Sequence, residues 1–432
     1  MKKHLAVLSA LVAASVALAG CGGGSGGDSG AAAQPANPAD LKAEISYGVW
    51  GENIAGAAQQ VVADFNKTYP HVKVNVQVTP YKEYWTKLQT QAGSKTTPDV
   101  FWMNGPNFQL YAANKKLAPI TGLVDGKKID PAQYPKALDT LYTYEGVRYG
   151  VPKDYDTIAV FYNKKLFAEA GVAEPKSDWT VEQFVQAAKD IRAKLKAKDV
   201  FGVTAALVDG GQQTYYDTIA AAGGEVISAD GKKSGFDTPE AIRGLQVWAD
   251  LIAADAMPSL SQDADTPALS RFTSGRAAMF WTGSWDTKLL AESPIAADVA
   301  VAPLPRDKRQ ATVIHGLANV ISADTKNQAA AEAFLTYLSS QEAAVTLSKL
   351  SGVISAYKGT QESFLKVLPG ADLKVFLDGA ENYAVPYPVS KNSSAWGKFE
   401  VDLLPDAFSG AKPVGEVAKA MADAMNKALE KE

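Results

Sequence analysis

Three observations predict an α/β fold with mainly parallel sheets, divided into two lobes. Strand-like and helix-like segments alternate along the chain, the chain is too long for one core, and tryptophans gather where strands give way to turns. Of the 432 residues, those from Leu41 onward outnumber the roughly 250–300 at which a single hydrophobic core stops growing. His71-Val72-Lys73-Val74-Asn75-Val76-Gln77-Val78 alternates apolar and polar side chains, the period of a half-buried strand. It follows Ala55 to Tyr69, where Val61, Val62 and Phe65 fall at helical spacing. Strands are expected again at Val147 to Val151 and Thr157 to Tyr162. Thr180 with Gln183 three residues on has the spacing of a capping box and opens a helix. Asp237-Thr238-Pro239 opens another, since proline is tolerated at the first helical position. Alternation of strands with helices of about ten or more residues argues for parallel sheets. Val414 to Glu432 reads as a docked amphipathic helix, and no repeat of about 20 to 50 residues suggests a solenoid.

The N-terminus carries an address. Met1-Lys2-Lys3-His4 is followed by an apolar run from Leu5 to Ala19, a positive n-region and a short h-region. That run is shorter than the about 20 apolar residues a bilayer span needs. It closes on Leu18-Ala19-Gly20-Cys21, which resembles the bacterial lipobox, whose cysteine is lipidated as the signal is cut. Residues 1–20 are therefore expected to be a signal peptide and Cys21 a lipid anchor on the outer face of the cell membrane. The resemblance implies more than one acyl chain, each holding by about 0.8 kcal/mol per buried CH₂. Cys21 is the one cysteine, which excludes an internal disulfide framework and a cysteine-based zinc site. Residues 21–40, rich in Gly, Ser, Ala and Pro, are expected to form a flexible tether with a reach of roughly 25 Å. GxSxG and GxGxxG matches within Gly22 to Gly27 lie between no strand and helix, and carry no chemistry.

Charge and composition narrow the function. The chain has 43 Lys+Arg and 47 Asp+Glu, and loss of Lys2 and Lys3 with the signal moves the formal balance from −4 to −6. Both signs are scattered without a dense basic run, which argues against nucleic acid. There are three histidines, one of them in the signal, and neither a metal-binding pair nor a Ser, Asp and His motif. Asp154 and Asp156 share one strand face, but a glycosidase needs a second carboxylate about 5–9.5 Å away across the bond. No cofactor or metal is expected, and a binding protein is favoured over an enzyme.

The eight tryptophans point to the ligand. Trp50 follows a short strand in Tyr47-Gly48-Val49-Trp50-Gly51-Glu52-Asn53; Trp102 ends Pro98-Asp99-Val100-Phe101-Trp102; Trp281 and Trp285 bracket Thr282-Gly283-Ser284. Carboxyl ends of strands form the ligand crevice of open α/β sheets. A flat indole covers the apolar face of a pyranose while neighbouring amides and carboxylates satisfy its hydroxyls. A core position is the alternative for each of these, and Trp85, Trp179 and Trp248, set in helical patterns, are assigned to the core.

Taken together, Phe65-Asn66-Lys67-Thr68-Tyr69-Pro70, Pro98 to Trp102, Gly150-Val151-Pro152 with Phe161-Tyr162-Asn163, Arg276 to Phe280 with Gly283-Ser284-Trp285, and Ala302-Pro303-Leu304-Pro305 make the chain recognisable. It resembles the family 1 extracellular solute-binding proteins, sugar-binding lipoproteins of bacterial ABC importers, and the maltose-binding group among them. The resemblance runs over nearly all of 41–432. It implies a type II periplasmic-binding-protein fold of two lobes joined by three hinge crossovers, closing on a ligand. The lobes would be 41–152 plus 304–353, and 153–303 plus 354–432. A monomeric exported binder is implied, with a carbohydrate ligand and the transmembrane subunits of an ABC permease as partners. Ligand-binding positions fall on Trp102, Tyr155, Asp156, Trp285 and Trp396, with Trp50 and Glu52 on the opposite wall. Asn104, Trp281, Asp286, His315 and Gly316 complete the candidate set. Two departures bear on the ligand: Asn104-Gly105-Pro106 stands where maltose-type relatives often carry a carboxylate, and His315-Gly316 where many have a glycine pair. His315 is either a hydroxyl donor or a hinge-packing residue. Another polyol or a glycerol-phosphate-like solute is the alternative ligand, with Lys153 facing it, and a surface glycoside hydrolase the alternative class.

Overall fold

The computed structural model describes residues 35, 37–51, 54–208 and 210–432. The expected signal peptide, Cys21, most of the tether and Glu52 lie outside the described residues. No helix among the described residues is long and apolar enough to cross a membrane.

The described residues build two large sheets and one two-stranded hairpin. Strands β1 (Ala43–Trp50), β2 (Val72–Thr79) and β3 (Val100–Asn104) alternate with helices α1 (Ala55–Phe65) and α2 (Tyr81–Ser94), and pair in parallel with β1 central. After α3 (Gly105–Ala113) and a small hairpin of β4 (Thr143–Tyr144) and β5 (Val147–Arg148), β6 (Gly150–Asp156) joins this first sheet. Only Thr157 separates β6 from β7 (Ile158–Asn163), which belongs to the second sheet. There β8 (Phe201–Thr204), β9 (Ala277–Gly283) and β10 (Val299–Ala302) complete the order β10-β7-β9-β8. The chain then returns through β11 (Thr312–Ile321), which inserts between β6 and β3, and adds β12 (Ile354–Ser355) and β13 (Ala384–Pro386) at the first sheet.

The two-lobed α/β architecture agrees with the sequence, but the sheets are mixed rather than mainly parallel. β11 runs antiparallel to β3 and β6, β12 to β6, and β7 to both β9 and β10. The cause lies in the crossovers. β6 leads the chain out of the first lobe and β11 leads it back, so two strands crossing one boundary in opposite senses become neighbours. Parallel pairing persists where a helical connection returns the chain to the same edge, among β1, β2 and β3 and between β8 and β9. At residue 354, where the sequence places the start of a return to the second lobe, β12 still pairs with β6 of the first sheet.

Local signals set the helix ends. Gln183 N–H donates to Thr180 Oγ1 at 3.3 Å and Thr180 N–H to Gln183 Oε1 at 2.9 Å, closing the capping box on helix Val181–Leu195. Thr238 caps helix Pro239–Ala253, with its hydroxyl accepting from Ala241 N–H at 3.3 Å. The last helix, Val414–Leu429, buries Val417, Met421 and Met425 against the second lobe, each worth about 1.5–3 kcal/mol of apolar burial. Trp179 and Trp248 lie in that same core.

Buried polar contacts fasten the crossovers. Ile158 N–H donates to Thr312 Oγ1 at 2.8 Å, Val313 N–H to Asp217 Oδ1 at 2.7 Å, and Thr157 Oγ1 to the Phe376 carbonyl at 2.8 Å. These contacts join β7, the start of β11 and the helix Lys374–Asn382 where the chain passes between sheets.

Candidate functional site

The carboxyl ends of β1, β3, β6 and β9 and the start of β11 meet at the boundary between the lobes. Asp156 ends β6 and stands opposite His315 in the β6/β11 ladder, with Tyr155 opposite Gly316. From the second lobe, Ser284 Oγ donates to Asp156 Oδ1 at 2.9 Å, and Thr282 Oγ1 donates to Asp286 Oδ2 at 2.7 Å. Burial, then the neighbouring Asp154 charge, pushes the Asp156 carboxyl up to about 7. Burial lifts Asp286 to about 6. Burial thus holds both carboxyls above the usual carboxylate range, and each already accepts from a hydroxyl, as a sugar hydroxyl would require.

Trp285 lies beside them, half-buried. A Cβ at Gly283 would fall 2.1 Å from its ring, so the indole lies flat on the end of β9 only because residue 283 is glycine. This is a ring face beside two carboxylates, the combination a pyranose needs.

Lys153, the cation beside this group, is already engaged. Lys153 and Asp154 are buried together and ion-paired; the Lys153 Nζ lies 3.8 Å from the centroid of the Trp102 ring. Asp154 also accepts from Leu317 N–H at 3.2 Å.

On the first-lobe side, Trp102 is only 1% exposed, its indole N–H donating to Tyr47 Oη at 2.7 Å and Tyr47 in turn to Asn319 Oδ1 at 2.9 Å. Trp50 stands edge-on to it at 5.1 Å and is half-buried. Trp102 is therefore the floor of an aromatic cluster, and Trp50 its more accessible member.

Several sequence-derived candidates have structural tasks instead. Asn104 caps α3, its Oδ1 accepting from Asn107 N–H at 3.2 Å. His315 Nε2 accepts from Gly105 N–H at 3.1 Å, the first residue of α3, and its ring lies 4.9 Å from that of Tyr387. Burial lowers His315 to about 4, so the imidazole is neutral and can accept. Of the two readings open for His315, this geometry matches the packing one. Gly316 permits close strand approach, since a Cβ there would come 2.5 Å from the Asp154 carbonyl. Trp281, 1% exposed, points into the second-lobe core between Phe184 and Trp248, at 5.2 and 5.1 Å. Trp396, also 1% exposed, joins that core and donates to Ser390 Oγ at 2.9 Å. Tyr155 is buried in the first-lobe core.

The burial of these candidates has a common cause. β9 is buried along its whole length, so no alternation distinguishes its two faces, and Trp281 takes the helix-facing side. Trp285, beyond the strand, stays at the rim. Trp85, assigned to the core, is half-buried and packs at the margin of the cluster of Tyr84, Leu88 and Phe101, 5.6 Å from Trp50. Tyr81 and Tyr84, which the sequence reading overlooks, join it at 5.8 and 4.9 Å from Trp50. The signal was present, since Tyr81, Tyr84 and Trp85 are spaced i, i+3, i+4 directly after Pro80. Ser284 was overlooked as well.

Comparison with known proteins places this arrangement in context. Residues 51–345 match the family described as bacterial extracellular solute-binding protein. A diacetylchitobiose binding protein of Streptomyces coelicolor is 26% identical over 301 residues, 67% of this chain and 68% of that one. A maltooligosaccharide ABC transporter solute-binding lipoprotein of Streptococcus pneumoniae is 26% identical over 339 residues, 76% of this chain and 75% of that one. Among solved structures, an ABC substrate-binding protein from Listeria monocytogenes in complex with cycloalternan superposes with a TM-score of 0.84 at 25% identity, covering 90% of this chain and 100% of that one.

Proposed function

The chain belongs to the bacterial extracellular solute-binding proteins, and from that premise we propose that it captures a neutral carbohydrate between its lobes and delivers it to an ABC-type permease. The observation that carries this reading is the grouping of Asp156, Ser284 and Asp286 beside the half-buried Trp285 face. Acceptors for hydroxyls stand next to a surface for sugar C–H groups. The names of the relatives, which bind diacetylchitobiose and maltooligosaccharide, support the same ligand class.

The arrangement of charge separates this reading from a phosphorylated polyol. An anionic ligand would need a cation free to meet it, whereas Lys153 is buried, paired with Asp154 and capped by Trp102. Asp156 and Asp286 would repel a phosphate. A neutral solute meets neither difficulty.

In this reading the lobes comprise 41–152 plus 304–353, and 153–303 plus 354–432, except that the end of β6 and β12 stay in the first sheet. They close about the crossovers at Thr157 and Thr312. Export, cleavage before Cys21 and lipid attachment there hold the binder beside its permease. Replacing Cys21 with serine should release the protein from the membrane fraction.

A thermal-shift panel of mono- and oligosaccharides tests the ligand class. A cognate sugar at a hundredfold excess over its dissociation constant stabilises the fold by about 2.7 kcal/mol. No shift with any sugar, or a shift only with polyol phosphates, would overturn the reading.

A further inference from the structure

We propose that Lys288 is a positioning residue for the ligand: it straps the turn that carries Trp285 to the first lobe, so that the indole is mounted at the hinge rather than on a free loop of the second lobe. This rests on the carbohydrate reading and adds to it the residue that holds the stacking face in place.

The turn is tied at both ends. At its start, Ser284 N–H donates to the Thr157 carbonyl at 3.1 Å and Ser284 Oγ to Asp156 Oδ1 at 2.9 Å. Thr157 is the residue between β6 and β7, so this tie lands on the first crossover. At its end, in helix Thr287–Ala291, Lys288 Nζ donates to the Leu350 carbonyl at 2.9 Å. Leu350 lies in the last turn of helix Gln341–Ser351, just ahead of β12 in the first sheet. That helix lies over the first sheet, where Ala344 and Leu347 line one small cavity with Tyr47 of β1 and Val61 of α1. Beyond β12 the chain runs to Phe376, whose ring meets Phe161 of β7 at 5.5 Å, so the second tie lands beside another passage between sheets. Between the ties the turn is stiffened from within. Thr287 Oγ1 donates to the Ser284 carbonyl and Thr282 Oγ1 to Asp286 Oδ2, both at 2.7 Å.

The lysine suits its partner on two counts. The last four carbonyls of a helix lack partners within it and carry the negative end of its dipole, which favours an ammonium there. Gly352 ends that helix at φ +75° and leaves room for the lysine stem, since a Cβ there would stand 3.1 Å from Lys288 Cβ. Ties placed beside the crossovers change length little as lobes rotate about them, so the strap holds Trp285 without opposing closure. A stacking face fixed before the ligand arrives loses less conformational freedom on binding.

The test pairs hydrogen exchange of the sugar-free protein with calorimetric titration of the mature chain, the probes being malto-oligosaccharides and N-acetylchitooligosaccharides of two and three units. Lys288→Met should speed amide exchange at 284–290 and 348–353 while leaving β7 unchanged. It should also weaken binding of the probe that wild type takes by about two- to fivefold. Lys288→Arg, which keeps a cation for the carbonyl, should match wild type in both measurements. Lys288→Glu, which sets an anion against the helix end, should fall below the methionine variant. Weaker binding with unchanged sugar-free exchange would mean that Lys288 touches the sugar itself, and faster exchange with unchanged binding that the strap positions nothing; either result overturns the proposal. Failure of wild type to bind any of the probes overturns the carbohydrate reading, and this extension with it.

Discussion

The Lys153 ammonium rests 3.8 Å from the centre of the Trp102 ring while pairing with Asp154, all three groups buried. One charge is thereby shared between an ion pair and an aromatic face, and it holds the last residues of β6 against the end of β3. Removing one partner of such a pair leaves the other buried and uncompensated. Lys153→Met should therefore destabilise the protein by about 3–5 kcal/mol in chemical denaturation. The double replacement Lys153→Met with Asp154→Leu should recover much of that loss, and failure to recover would show that the pair does more than neutralise itself.

Asp156 separates stability from binding. Its folded pKa of about 7 lies above the usual carboxylate value, so ionisation opposes folding. Its contribution is fully present below the unfolded pKa and is lost as pH rises through about 7. Asp156→Asn should flatten that pH dependence and leave the protein at least as stable at pH 8. The same variant should weaken sugar binding by about 1.5–3 kcal/mol through a lost charge-assisted hydrogen bond. Thermal melts from pH 4 to 8, paired with titration at pH 8, measure both, and a fall in stability at pH 8 would contradict the assignment.

His315 has the opposite sign. Its pKa is depressed to about 4 because burial favours the neutral ring, so its contribution is present above about 6.5 and is lost as pH falls towards 4. A protonated ring can no longer accept from Gly105 N–H. His315→Ala should cost about 1–3 kcal/mol by leaving that buried donor unpaired, and should remove part of the acid sensitivity between pH 6.5 and 4. An unchanged acid profile in the variant would assign the loss to other groups.

The tryptophans should divide by burial. Trp285→Ala should abolish or strongly weaken sugar binding with little change in melting temperature, and Gly283→Ala should weaken binding by lifting the indole off β9. Trp281→Ala and Trp396→Ala should instead lower stability by about 3–5 kcal/mol, since each leaves a large cavity in the second-lobe core. For Trp396, a ligand-binding position by the resemblance, the burial predicts a structural cost instead. Denaturation and titration of all four variants separate the two groups.

The sequence by itself determined the elements and their ends. The alternating run of β2, the Thr180 capping box and the Thr238-Pro239 start are local statements, decided by residues within a turn of one another. It also determined that the chain exceeds one core and that tryptophans cluster at strand ends. Tertiary structure alone decided which of those tryptophans face the crevice. Periodicity says which side chains share a face, but not which face a distant part of the chain will cover. Trp281 is buried by Phe184 and Trp248, and His315 finds its partner 210 residues away at Gly105. Strand direction was likewise undecided, because antiparallel pairing of β6 with β11 arises from the chain leaving one lobe and returning to it. The difference is physical. Hydrogen bonds that cap a helix form within a few residues, whereas desolvation of a ring or a carboxylate depends on everything the fold brings around it.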